Sequence, residues 1–96
     1  MTLLSLTDGQ VEQVREAAAS LMKPSDIARL LGLTRDETEY FLFAIRDDSD
    51  ASFARAYHQG RMETKLQLHE SVVKLALKGS PAAQPIAENY LREQEL

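Results

Sequence analysis

Residues 24–46 constrain the fold more than any other segment, because they combine two helical patterns with a tight joint. Apolar residues recur at helical spacing on both sides of Gly32, as expected for two helices that each bury one face. These residues are Ile27, Leu30, Leu31, Leu33, Phe41, Leu42 and Ile45. Gly32 permits the positive φ of a sharp turn, and Thr34 with Glu37 has the pattern of a capping box. The segment therefore predicts a helix-turn-helix whose second helix begins at Thr34 or Arg35.

One interpretation of this pattern is that the second helix lies in the major groove of DNA, with Arg35, Asp36, Glu39 and Tyr40 facing outward. The alternative is a plain helical pair packed in a core. The candidate DNA contacts are Lys23, Ser25, Arg29, Arg35, Tyr40 and Arg46. Residues 1–50 carry five basic and ten acidic side chains, a balance of −5. Because DNA affinity depends on neutralised phosphates, one copy is expected to bind double-stranded DNA weakly.

Another helix is predicted before this segment, at residues 8–22. It has a capping-box pattern at Thr7, and Pro24 disfavours helical geometry in the residue before it. Its apolar stripe is Val11, Val14, Ala18 and Leu21. Residues 1–47 are therefore expected to form a three-helix DNA-binding unit, and the acidic residues 48–50 a linker.

Residues 51–96 predict a long helix and a shorter antiparallel helix, and the whole chain is therefore predicted to be all-α. The long helix contains no proline, and the Gly-Ser-Pro sequence at residues 79–81 is typical of a helix end followed by a new start. We expect Pro85 to kink the last helix. The long helix has two apolar faces and one basic face, which is more apolar surface than a three-helix unit covers.

The surplus apolar faces predict an oligomer interface in this helical hairpin. The interface candidates are Phe53, Tyr57, Leu66, Leu68, Val73, Leu75, Leu77, Ile86 and Tyr90. The basic stripe offers a second DNA contact and consists of Arg55, His58, Arg61 and Lys65. Its alternative role is to pair with the acids of residues 36–50 in a neighbouring copy, because residues 51–96 have a charge balance of +1.

The sequence offers no candidate for catalysis, for a metal site or for a cofactor. Cysteine is absent, which excludes disulfides and thiolate zinc ligands. His58 and His69 are about three helical turns apart and cannot share one ion. Residues 1–6 lack the basic region and apolar length of a signal peptide or membrane span. We expect a cytoplasmic, non-enzymatic protein without a membrane partner.

Two motifs in the C-terminal half carry a resemblance to a known family. Residues 57–61, YHQGR, fit the pattern YxxGR, and residues 75–83, LALKGSPAA, fit the pattern LAxxGxPAA. Together with the helix-turn-helix pattern at residues 27–45, they are similar to motifs of the small subunit of tailed-phage terminases and related prophage proteins. The resemblance covers most of residues 24–92.

This resemblance implies an accessory protein of viral genome packaging. Such a protein recognises phage DNA in the host cytoplasm and delivers it to a large subunit that has ATPase and nuclease activities. It implies a ring with helix-turn-helix units at the periphery and the following helices in the assembly core. Weak DNA contacts from several linked copies would then multiply.

Two other functions fit the same pattern. One is a transcription regulator that dimerises through its C-terminal hairpin and contacts two half-sites. The other is a structural adaptor that binds protein only, through Tyr40, Phe43 and the acidic surface. Oligomeric mass separates a ring from a dimer, and retention on DNA at low salt separates both from an adaptor.

Overall fold

The computed structural model describes residues 4–94, and within them five α-helices form and no strand does. The helices are α1 (Asp8–Ala19), α2 (Pro24–Leu30), α3 (Arg35–Arg46), α4 (Ser52–Leu77) and α5 (Ala83–Gln94). The prediction of an all-α protein is confirmed. The chain divides into two compact units, of which the first ends at Thr64 and the second begins at Lys65.

Both predicted capping boxes are present, and they fix the starts of α1 and α3. The Thr34 hydroxyl accepts a hydrogen bond from the Glu37 backbone N–H at 3.2 Å, and the Glu37 carboxylate accepts one from the Thr34 N–H at 2.9 Å. Thr7 and Gln10 repeat the arrangement at the same two distances. Each box satisfies two backbone donors that a helix start would otherwise leave without partners.

The end of α1 differs from the prediction, because the helix stops at Ala19 rather than at Met22. Leu21 adopts a left-handed φ of 62°, so the Met22 N–H turns back to the Ala17 carbonyl at 3.1 Å. Leu21 consequently leaves the apolar stripe in which the sequence placed it and is exposed. A left-handed conformation costs a non-glycine residue about 1–2 kcal/mol.

The first unit holds a hydrophobic core to which all of its helices contribute. Its buried residues are Leu4, Val14, Ala17, Ala18, Ile27, Ala28, Phe41, Ala44, Ile45, Phe53, Ala54, Ala56 and Tyr57. The Phe53 ring stacks on Phe41 with 5.2 Å between centroids, and Tyr40 meets it edge-on at 6.2 Å. The N-terminal part of α4 therefore completes this core.

Two predicted interface residues are corrected by this packing. Phe53 and Tyr57 are 4% and 5% exposed and belong to the core of the first unit, not to a surface available for oligomerisation. The physical reason is that α1, α2 and α3 alone do not cover Phe41, whose ring packs against Phe53 of α4. The sequence placed the start of the C-terminal domain at residue 51, whereas the first compact unit continues to Thr64.

Helix α4 approaches α1 closely at Gly60. A Cβ added there would lie 2.2 Å from the Arg15 carbonyl oxygen and 3.0 Å from the Ala18 side chain. Next to this contact, the Arg15 guanidinium pairs with Glu63 at 2.7 Å, and the Thr64 hydroxyl donates to the Ala19 carbonyl. The missing side chain of Gly60 allows the two backbones to meet.

The second unit joins the remainder of α4 to α5 through a turn at Gly79, whose φ is 91°. The rings of His69 and Tyr90 stack with 3.6 Å between centroids, and the Gln84 amide donates to the Ala76 carbonyl at 3.5 Å. Between residues 65 and 93, Ala83 is the one buried hydrophobic residue. The second unit thus has contacts between its helices but little core.

Helix α5 accommodates Pro85 without needing the kink that the sequence predicted. Helix α5 begins at Ala83, so Pro85 lies in its first turn, where a backbone N–H would have no partner within the helix. The Ser80 side chain accepts from the Ala83 N–H at 3.3 Å and satisfies another donor of that turn. Proline is therefore tolerated without breaking α5.

Candidate nucleic-acid and assembly surfaces

Five of the six candidate DNA contacts are exposed on or beside α2 and α3. Lys23 directly precedes α2, Ser25 lies in its first turn, and Arg29 follows Ser25 by one turn. Arg35 begins α3 and Arg46 ends it. The basic candidates therefore lie at the two ends of α3, directly before α2 and in the last turn of α2.

The outer face of α3 has mixed charge. Arg35 lies 3.7 Å from the carboxylate of Glu39, and Arg46 lies 3.8 Å from that of Asp47. Asp36, in the first turn, is exposed as well. Phosphates would have to compete with these carboxylates for the two arginines, which agrees with an expectation of weak binding per copy.

Tyr40 differs from the sequence prediction for α3, whereas Phe43 is exposed, as the adaptor interpretation requires. Tyr40 is half-buried with its ring against Phe53, so it lies at the margin of the core. Phe43 is 51% exposed, and the Arg46 guanidinium lies over its ring at 5.7 Å from the centroid. Phe43 follows Glu39 by four residues, and this helical spacing places both on the outer face of α3.

The basic stripe on α4 is partly engaged by the first unit itself. The Nε2 atom of His58 lies 3.0 Å from the Ile45 carbonyl oxygen and 3.6 Å from the Asp48 carboxylate. Arg61 donates to the Tyr57 hydroxyl at 3.2 Å. Arg55 is exposed, whereas Lys65 belongs to the second unit. Within the first unit, the stripe therefore combines an exposed arginine with two residues that stabilise neighbouring structure.

Arg15 links α1 to α4 through a small ionic network that no sequence motif indicated. It bonds Glu12 on its own helix, with Nε at 2.9 Å, and Glu63 on α4. The hydrogen bond from Arg15 lowers the pKa of the Glu12 carboxyl, and the same bond raises the pKa of Arg15. Arg15 and Glu63 are 48 residues apart in sequence, which is why pattern alone could not pair them.

Exposed apolar residues characterise the second unit. Between residues 65 and 93, seven large hydrophobic side chains are between 40% and 83% exposed: Leu66, Leu68, Val73, Leu75, Leu77, Ile86 and Leu91. Six of these are among the predicted interface residues, and Leu91 was not predicted. Tyr90, also predicted, is half-buried in its stack on His69.

Part of this apolar surface forms a groove of about 470 Å³ between α4 and α5. Its lining is Leu66, His69, Glu70, Val73, Lys74, Ala87, Tyr90 and Leu91. Every lining residue belongs to the second unit. We call this feature the α4–α5 groove. It is mostly apolar, with one acid and one base among its lining residues.

Within residues 4–94, no three His, Cys, Asp or Glu side chains are grouped as a metal site would require. Over the same residues, none of the helices combines the length and hydropathy of a membrane-spanning segment. No known family, curated protein or solved structure matches this chain.

Proposed function

We propose that this chain is a non-catalytic DNA-binding protein that acts as an assembly of several copies. Its first unit would contact double-stranded DNA through a helix-turn-helix formed by α2 and α3. Its second unit, a helical hairpin, would join the copies. The observation that carries this proposal is the contrast between the two units. The first unit buries a hydrophobic core, whereas the described part of the second unit exposes seven large apolar side chains.

The helix-turn-helix assignment is supported by the joint between α2 and α3. Gly32 has a φ of 70°, and the Leu33 N–H returns to the Ala28 carbonyl at 3.2 Å, which closes α2 sharply. Ala28 is fully buried, as a small residue at a helix crossing would be. With α3 in the major groove, Arg35 would approach the bases, and Arg29 and Arg46 the phosphates.

Assembly would compensate for the acidic character of α3. Each copy brings few phosphate contacts, but copies held together bind the same DNA with a high effective concentration. A role in viral genome packaging, with a ring of copies and a large terminase subunit as partner, follows from the resemblance of the YxxGR and LAxxGxPAA motifs. We propose this role as the most specific form of the function.

A double substitution tests the DNA contact. Arg29→Ala with Arg35→Ala should lower retention on double-stranded DNA at low salt, because two cations are lost from the α2–α3 surface. The matched control is Lys78→Ala with Arg92→Ala, which removes the same charge from exposed positions of the second unit. Equal retention by both variants would exclude the α2–α3 surface from DNA binding.

The exposed ring of Phe43 favours a second candidate function, a protein-binding adaptor. A half-exposed aromatic residue beside Glu39, Arg46 and Asp47 resembles an anchor surrounded by polar residues, as protein interfaces have. An adaptor of this kind would not be retained on DNA even at low salt. A dimeric transcription regulator would bind DNA but have the mass of two copies.

A further inference from the structure

The rim of the α4–α5 groove has charges that are complementary to a second copy of the same groove. Glu70 and Lys74 lie one helical turn apart on α4, and both are exposed beside Leu66 and Val73. Within residues 4–94, neither side chain takes part in an ion pair. When two copies meet across a two-fold axis, Glu70 of each copy approaches Lys74 of the other, so the acid–base pair forms twice.

The second unit is also too small to be stable by burying its own surface. Two helices of a roughly 30-residue segment cannot enclose a hydrophobic core, and segments of that size usually depend on oligomerisation. Between residues 65 and 93, Ala83 is the one buried hydrophobic residue, as expected for a segment too small to enclose a core. Two helical hairpins packed together, however, form a four-helix bundle, in which the apolar faces of all four helices are covered.

We propose that the α4–α5 groove binds α4 of a second copy in an antiparallel, two-fold symmetric contact centred between Ser71 and Val72. In this register Leu66 faces Leu77 of the partner subunit and Glu70 faces Val73 of the partner subunit, so that Lys74 of the partner subunit is one residue from the position opposite Glu70. The exposed side chains of Val73 and Leu91 then become buried. The inference rests on the proposed assembly of copies and specifies the surface and the symmetry that join two of them. A two-fold contact alone closes at two copies, so a ring would need a second contact, for which Leu68 and Leu75 are exposed.

Charge reversal at the rim tests this contact. Glu70→Lys gives each copy two bases at the rim, and Lys74→Glu gives each copy two acids, so both variants should repel their own copies. We expect each to weaken self-association by about tenfold or more, as like charges across an interface do. An equimolar mixture of the two variants should regain association, because every rim contact then joins a base to an acid.

Sedimentation velocity of the full-length chain would measure these outcomes, and circular dichroism would verify that helix content is unchanged. Glu88→Lys is the matched control, because Glu88 is exposed on α5 outside the groove and its reversal should leave the mass unaltered. The proposal is overturned if either rim variant alone keeps the mass of the unaltered chain, or if the mixture stays dissociated. If the proposed DNA binding were wrong, the unaltered chain would not be retained on double-stranded DNA. That result is independent of the masses measured by sedimentation.

Discussion

Gly60 and Arg15 bring the backbones of α4 and α1 into contact, since a Cβ on Gly60 would stand 2.2 Å from the Arg15 carbonyl oxygen. Gly60→Ala should therefore destabilise the protein although alanine favours helix. Separating the two helices in a packed core costs about 1–3 kcal/mol, which exceeds the helix-propensity gain of about 1 kcal/mol. Urea unfolding followed by circular dichroism would measure the change.

The control for this substitution is Gly9→Ala in α1. A Cβ there would meet only the Thr7 hydroxyl, at 3.9 Å. The control should be neutral or stabilising, by up to about 1 kcal/mol. If Gly60→Ala were as stable as Gly9→Ala, the close approach of α4 to α1 would be refuted.

Leu21 offers a stabilising substitution. Its φ of 62° suits glycine, and its side chain is 53% exposed, so removal of the side chain forfeits little packing. Leu21→Gly should raise the free energy of unfolding by about 1 kcal/mol. The reverse effect is expected for Gly32→Ala, where φ is 70° and the added Cβ meets no atom within 4 Å. A rise in thermal stability for Gly32→Ala would contradict the left-handed turn.

The sequence predicted the two capping boxes correctly but not the burial of Phe53 and Tyr57, and the reason is the distance along the chain over which each feature is determined. Capping boxes at Thr7 and Thr34 depend on residues three places apart, so the sequence predicts them correctly. The burial of Phe53 and Tyr57 depends on a helix packing over residues far away in the chain, and helical periodicity identifies an apolar face without naming what covers it. Leu66 and Leu77, on the apolar face that this periodicity identified, are exposed, and their role in an interface stays a prediction.

Glu12 gives the stability a dependence on pH. Because the hydrogen bond from Arg15 lowers the pKa of Glu12 below its ordinary 4.5, its stabilisation is present above pH 4.5 and is lost as pH falls through the folded-state pKa. The stability difference between the unaltered chain and Glu12→Gln should therefore be larger at pH 7 than at pH 3. Urea midpoints at both values would measure it, and an equal difference at both would contradict the Glu12–Arg15 bond.

Leu68 and Leu75 lie seven residues apart on α4 and are 51% and 52% exposed. If this face contributes to the assembly, Leu68→Asp with Leu75→Asp should lower the mass measured by light scattering, because two charges would be buried in an apolar contact. Leu30→Asp, which alters an exposed leucine of the first unit, should leave the mass unchanged. An unaltered mass for the double variant would remove this face from the interface.

The core of the first unit is covered by that unit's own residues, whereas we propose that the second unit requires other copies of the chain to cover its apolar side chains. Sedimentation equilibrium of the full-length protein over a wide concentration range tests it most directly. We expect a mass that is a multiple of the 10.8 kDa chain and that falls on dilution. A mass of 10.8 kDa at every concentration would contradict it.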